Sequence, residues 1–197
     1  MISAQPAALL IRLRTETREQ HDAIEHTLML MDDELGCELY RRRLEQFYGF
    51  YKPVEQRMLS NDSALRHWLS LPERRKTALL EADLSTLGGN APAQLPLCVD
   101  LPPLNSVADF FGCMYVLEGA SLGGTVISRH VQKKLGVSPL SGGQFFYGYG
   151  NHTGAMWQQF RSAITAFSSE QVDHDAIVSS ARATFETLRH WCNESKQ

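Results

Sequence analysis

Apolar residues recur at three- and four-residue steps along most of the 197-residue chain, the pattern of helices that bury one face. Leu10, Leu13, Thr17, His21, Ile24 and Leu28 follow such steps and predict a first helix over 6–31, with Pro6 at its N1 position. Thr17 and His21 are polar interruptions in a stripe that should face the core. Tyr40, Leu44, Phe47, Tyr48, Tyr51, Val54 and Met58 mark the inner face of a second helix over 37–60, which Pro53 should kink or split. A short helix is expected over 63–69, and Pro72 should open another that stops at Gly88 and Gly89. Residues 88–105, rich in proline and glycine, read as a long connection within one core rather than a linker. Two last helices are expected over 153–167 and 170–193, with Ser168 and Gln171 as a capping box for the second. No strand alternation, internal repeat or low-complexity tract is present. The pattern predicts an all-α chain, a single domain over 1–197 built as a compact bundle of about six to eight helices.

Between the connection and these last helices lies the stretch that organises the rest, DFFGCMYVLEGASLGGTVISRHVQKKL over 109–135. Ser106 with Asp109 is a capping-box start and Gly136 a C′ stop. Yet Gly112, Gly119, Gly123 and Gly124 lie inside the helix, and each costs about 1 kcal/mol against alanine there. Gly119, Gly123 and Gly124 strip side chains from one side of the middle turns. Two explanations stay open: close helix–helix packing with a kink, or a flat ligand lying on bare backbone. Gly136 to Gly150 follows as a glycine-rich segment with an aromatic knot of Phe145, Phe146, Tyr147 and Tyr149.

Composition narrows the function classes. Charged residues make up 21% and the net charge is −3, which describes a globular protein and argues against a nucleic-acid partner. No stretch reads as a membrane span, and the early apolar run over 7–11 is interrupted by Arg12 and Arg14. Cys37, Cys98, Cys113 and Cys192 form no CxxC pair, so they offer no thiolate metal site and suit a reducing, cytoplasmic setting.

Among chemical candidates His21 is the sharpest. A histidine on an apolar stripe is ordinarily a satisfied core residue, but Glu25 one turn on can orient its ring. Arg14, two turns earlier on the same face, can pair with an anionic edge of a ligand whose metal sits on His21. No Glu-x-x-His pair for a di-iron bundle, H-E-x-x-H zinc motif or P-loop occurs. Gly119-Ala120-Ser121-Leu122-Gly123 has the letters of a hydrolase elbow but lies inside a helix rather than after a strand. What remains is one buried imidazole, one glycine-opened helix and several helical cations; a single axial nitrogen with an open opposite face is what a haem iron that must bind oxygen requires.

Residues 13–25, LRTETREQHDAIE, resemble the proximal helix of haem oxygenases. Residues 111–124, FGCMYVLEGASLGG, resemble their distal helix in its bacterial form, including members that supply bilin to bacterial phytochromes. The segment 145–160 is also similar to the bacterial branch. The resemblance implies haem between the first helix and a kinked glycine-rich helix, with His21 as proximal iron ligand, Glu25 and Thr17 beside it, and Arg14 and Arg161 facing the propionates. It implies Gly119, Gly123 and Gly124 on the distal side with Ser121, and Phe185 as a pocket wall. Haem would be both cofactor and substrate, cleaved with O₂ and electrons from an external reductase or ferredoxin to biliverdin, CO and ferrous iron. A bacterial phytochrome would be the bilin acceptor. Mammalian-type members carry an aspartate directly after the first distal glycine, which organises the waters that deliver protons. This chain has Ala120 there, so delivery would fall to other waters, backbone carbonyls or Ser121. Two rivals share the fold: a haem carrier or sensor without catalysis, and a thiaminase-like enzyme that would use a cysteine such as Cys113.

Overall fold

Thr17 divides the first expected helix in two: α1 (Gln5–Glu16) and α2 (Arg18–Leu28). In the computed structural model, which describes residues 5–170 and 173–194, Thr17 sits at φ −108°, ψ 6°. Its buried Oγ1 donates to the Leu13 carbonyl at 2.7 Å. A threonine that bonds back to the i−4 carbonyl bends the helix carrying it. The backbone bonds from Thr17 to Leu13 (3.1 Å) and from His21 to Thr17 (3.0 Å) persist, so the break is local. Helix α2 stops at Leu28 rather than near Met31, because Met29 turns left-handed at φ 54°.

Helix α3 (Cys37–Leu59) runs unsplit through Pro53. It holds the end of α2: the buried Arg43 donates to the carbonyls of Thr27 at 2.6 Å and Leu28 at 2.9 Å. These are acceptors that a helix C-terminus leaves without partners, and a cation there complements the helix dipole. The expected helix over 63–69 is only the single turn α4 (Asp62–Leu65). Pro72 opens a 3₁₀ turn, Pro72–Arg74, and α5 (Thr77–Leu87) starts later. The delay has a cause: the buried Glu55 carboxylate accepts from the Lys76 and Thr77 N–H groups and the Thr77 hydroxyl, fixing the start of α5 there.

Helix α6 (Val107–Leu135) begins and ends as expected. Asp109 N donates to Ser106 Oγ at 3.1 Å, Ser106 N to Asp109 Oδ2 at 3.0 Å, and Gly136 closes it in the left-handed region. It is helical throughout its glycine segment. By length and composition α6 is apolar enough to cross a membrane, a test that the core helix of a folded bundle also passes. In the fold it is the central helix, packed against α9 (His174–Glu194) and flanked by α7 (Gln144–Tyr147) and α8 (Thr153–Glu170). Ser168 lies inside α8 and bonds to the Thr165 carbonyl, so it does not cap the next helix; its expected partner Gln171 lies outside the described residues. The architecture is all-α, with no strand among the described residues.

Candidate functional site

A cavity of about 660 Å³ opens between α2 and α6, closed at one end by α7 and α9. Small-molecule sites span roughly 300–1,000 Å³. Arg14, Thr17, His21 and Glu25 line one wall, Gly119, Ser121, Gly123 and Gly124 the opposite one, and Phe185 the end. The expected site residues therefore converge, with one exception. Arg161 is exposed on α8 and does not line the cavity, although Trp157 one turn earlier does.

His21 is not the buried residue its stripe implied. Its side chain is 52% exposed because it stands on the cavity wall, the helix break at Thr17 having set α2 on its own course. Nδ1 lies 3.6 Å from Asp22 Oδ1 and 3.7 Å from Glu25 Oε2. Both carboxylates favour a proton on Nδ1, which leaves Nε2 as the nitrogen with a free lone pair. Phe185 meets the imidazole edge-on, ring centroids 5.8 Å apart. The Oγ1 of Thr17 is committed to Leu13, so this residue shapes the wall rather than donating into the cavity. Arg14 and Arg18 stand on the same wall and give it a cationic rim. Arg182 of α9 donates to the Glu16 carbonyl at 2.8 Å, so the break between α1 and α2 is held from outside.

The four glycines of α6 separate into two kinds. A Cβ on Gly112 would meet Ser180 Cβ at 2.6 Å and Ala181 N at 2.8 Å, and one on Gly124 would meet the Phe146 carbonyl oxygen at 2.8 Å. These two are packing glycines. Gly124 also borders the cavity, but its bare side is taken by α7, which corrects its expected place beside Gly119 and Gly123. A Cβ on Gly119 or Gly123 would meet nothing within 4 Å. Packing does not require glycine at either position, so both helix–backbone explanations apply, to different residues. Gly112→Ala should therefore destabilise the protein by about 1–3 kcal/mol through overpacking. Gly119→Ala should leave stability unchanged or raise it by up to about 1 kcal/mol. Urea unfolding of the two variants, run side by side, measures the contrast.

The inner wall carries a polar group that the sequence did not reveal. Glu118 is buried and turned away from the cavity; its carboxylate accepts from Arg74 Nη1 at 2.6 Å and from the Tyr149 hydroxyl at 2.7 Å. Burial raises its carboxyl above the usual range, against the pull of Arg74, Tyr149 and Lys76. Lys76, only 4% exposed, lies with Nζ 3.0 Å from the centre of the Tyr149 ring and borders the cavity. Burial lowers its ammonium to about 8, against the attraction of Glu118 and Glu55. The one sequence signal was Glu118 preceding Gly119; nothing marked Arg74 or Lys76, which lie in and just after a 3₁₀ turn. Asp83, fully buried, accepts from the N–H groups of Gln144 at 2.8 Å and Phe145 at 2.7 Å, and so fixes α7 as the cavity's end wall.

Cys113 is fully buried on α6, outside the cavity lining, and burial pushes its thiol up to about 12. A thiol held protonated and walled off is a poor nucleophile, which counts against the cysteine-dependent rival.

Residues 7–194 match the model of the Heme oxygenase family. A heme oxygenase of Xanthomonas campestris pv. campestris is 29% identical over 112 residues, an alignment covering 57% of this chain and 64% of that relative's length. Three solved structures share the fold at 20% identity. The heme oxygenase of Neisseria meningitidis, solved with NO and CO bound, superposes with a TM-score of 0.81 over 95% of this chain and 91% of its own. That of Leptospira interrogans gives 0.77 over 94% and 98%. Heme oxygenase-1 of the cyanobacterium Synechocystis, in complex with heme, gives 0.75 over 95% and 92%.

Proposed function

Since the chain belongs to the heme oxygenase family, we propose that it cleaves haem to biliverdin, CO and ferrous iron with O₂ and reductant, and that His21 is the residue that would hold the iron. The single observation that carries this reading is the cavity itself. One of its walls presents the imidazole, and the facing wall presents Gly119 and Gly123 with open space above their Cα atoms. A flat macrocycle fits between a lone nitrogen donor and bare backbone, and the iron, when bound, supplies the oxygen activation. We take 1–197 as one functional unit.

The residues around the cavity have separable tasks. His21 offers Nε2, with Asp22 and Glu25 holding the proton on the other ring nitrogen. Arg14 and Arg18 form a cationic rim at the mouth suited to carboxylates on one edge of the ring. Phe145, Phe146, Phe185 and Leu188 close the deep end and keep water out of it. The bare helix backbone at Gly119 and Gly123 would leave room for a flat ring and limit the space above it, so that the oxygen chemistry the iron supplies would be confined to the ring. Ser121 offers a hydroxyl on the same wall. Electrons come from an external reductase or ferredoxin, and a bacterial phytochrome is the acceptor we favour for the bilin. A cytoplasmic location belongs to the same reading.

Mixing the protein with ferric haem, then adding reductant, O₂ and catalase, tests the function. The expected result is loss of the Soret band with appearance of a bilin spectrum. A Soret band that survives repeated reduction would make the protein a haem carrier instead, the reading that Ala120 in the distal wall keeps in play.

A further inference from the structure

Behind the inner wall lies a second hollow of about 20 Å³, wide enough for one water. Glu55, Arg74, Lys76 and Glu118 give it a polar lining, and Arg75, half-exposed, borders it toward solvent. Tyr51, Lys76 and Leu117 line both this hollow and the large cavity, so they form the partition between the two. In that partition the buried Nζ of Lys76 has no hydrogen-bond partner among the described residues and lies over the face of Tyr149. A buried ammonium has three donors, and leaving all of them unused is costly. A water in the hollow would satisfy one of them and be held in turn by the acceptors nearby.

We propose that Lys76 is the group that delivers protons to the cavity, resupplied through a single water held in the hollow it shares with Glu55 and Glu118. The inference rests on the haem-cleaving reading, since that reaction consumes protons. Elimination supports it. The other titratable groups on the cavity wall are Arg14, Arg18, His21, Asp22 and Glu25, which belong to the opposite wall, and the Tyr51 and Tyr115 hydroxyls, which burial pushes up. On the glycine side Ala120 and Ser121 carry no acid. Lys76 alone combines a place on the inner wall with a proton it can release near neutral pH. In each delivery one N–H bond of the ammonium breaks, its electron pair stays on Nζ, and a neutral amine remains. The amine recovers a proton from solvent by way of the water. Glu118, Glu55, Arg74 and Tyr149 are the charged and titratable groups that face it, and the two carboxylates keep the recharged state accessible.

The test compares Lys76→Met and Lys76→Arg with the unmodified protein, each loaded with haem. Both variants should bind haem with unchanged affinity by Soret titration. In single turnover both should slow by about 10- to 100-fold, within the usual range for loss of a general acid. Arginine keeps the charge and the donors but cannot release the proton, so equal slowing identifies transfer rather than field. A readout independent of turnover is the pH titration of the ferric haem spectrum, whose midpoint should move in Lys76→Met. Ethylamine should restore part of the lost rate in Lys76→Ala, whose truncated side chain leaves room for it. Full activity in Lys76→Arg, or an identical rate and spectral midpoint in Lys76→Met, overturns the relay and leaves the function standing. No bilin from the unmodified protein overturns both.

Discussion

His21→Ala should leave the fold intact and abolish the axial haem spectrum. The side chain is half-exposed and makes no hydrogen bond short enough to matter for stability, so unfolding in urea should shift by less than about 0.5 kcal/mol. Haem affinity should fall by more than about 100-fold, since even the groups that merely orient a metal-ligating histidine are worth about 10–100-fold. Bilin formation should disappear with it. Added imidazole, small enough for the space the side chain leaves, should restore the Soret band. Glu25→Gln should act in the same direction and more weakly, because its carboxylate touches only the far nitrogen. A Soret titration of the three proteins decides the point: an unaltered band in His21→Ala removes this residue from the axial position.

The second large effect lies on the far side of α6. Glu118→Leu should cost about 3–5 kcal/mol, because it leaves the Arg74 guanidinium buried without its anion. Pairing it with Arg74→Met should recover most of that loss, since a buried ion pair is commonly matched or bettered by apolar residues of similar volume. Recovery will be incomplete to the extent that Arg74 also serves the Met156 carbonyl, at 3.3 Å from both Nη atoms. The four-way cycle by urea denaturation isolates the coupling; additive single effects would mean that the pair is not energetically linked. A pH dependence accompanies it. The native carboxyl sits above its ordinary value, so the folded state holds this proton more tightly than the unfolded one. Stability from this group is therefore lost as pH rises from the ordinary glutamate value through the raised native one, and the double variant should lack that slope.

Lys76 and Glu118 also explain why a thermodynamic cost persists here. Two ionisable groups and an arginine are kept in a wall that leucines could have filled. Local rules broken without a packing gain concentrate at functional positions, and this wall is where the relay would run.

Much of this molecule was legible from one dimension. The all-α class, the cap of α6 at Ser106 and Asp109, its stop at Gly136, and the pairing of His21 with Glu25 one turn on are fixed by neighbours within a few residues. Patterns of that range are written in the sequence because the hydrogen bonds and side-chain contacts that decide them span one turn. Tertiary structure alone decided which glycines pack and which open. Gly112 meets Ile177 to Ala181 and Gly124 meets Phe146, while Gly119 and Gly123, on the same helix and the same letter, meet nothing. It also turned His21 out of the core and onto a wall, since the stripe recorded an inward face without recording that the core there is hollow. And it joined Arg74 to Glu118 across 44 residues, with Lys76 beside them. Charges that distant in the chain carry no periodicity that would reveal their meeting; only the packing of α5 against α3 and α7, and of α7 against α6, brings them to one wall.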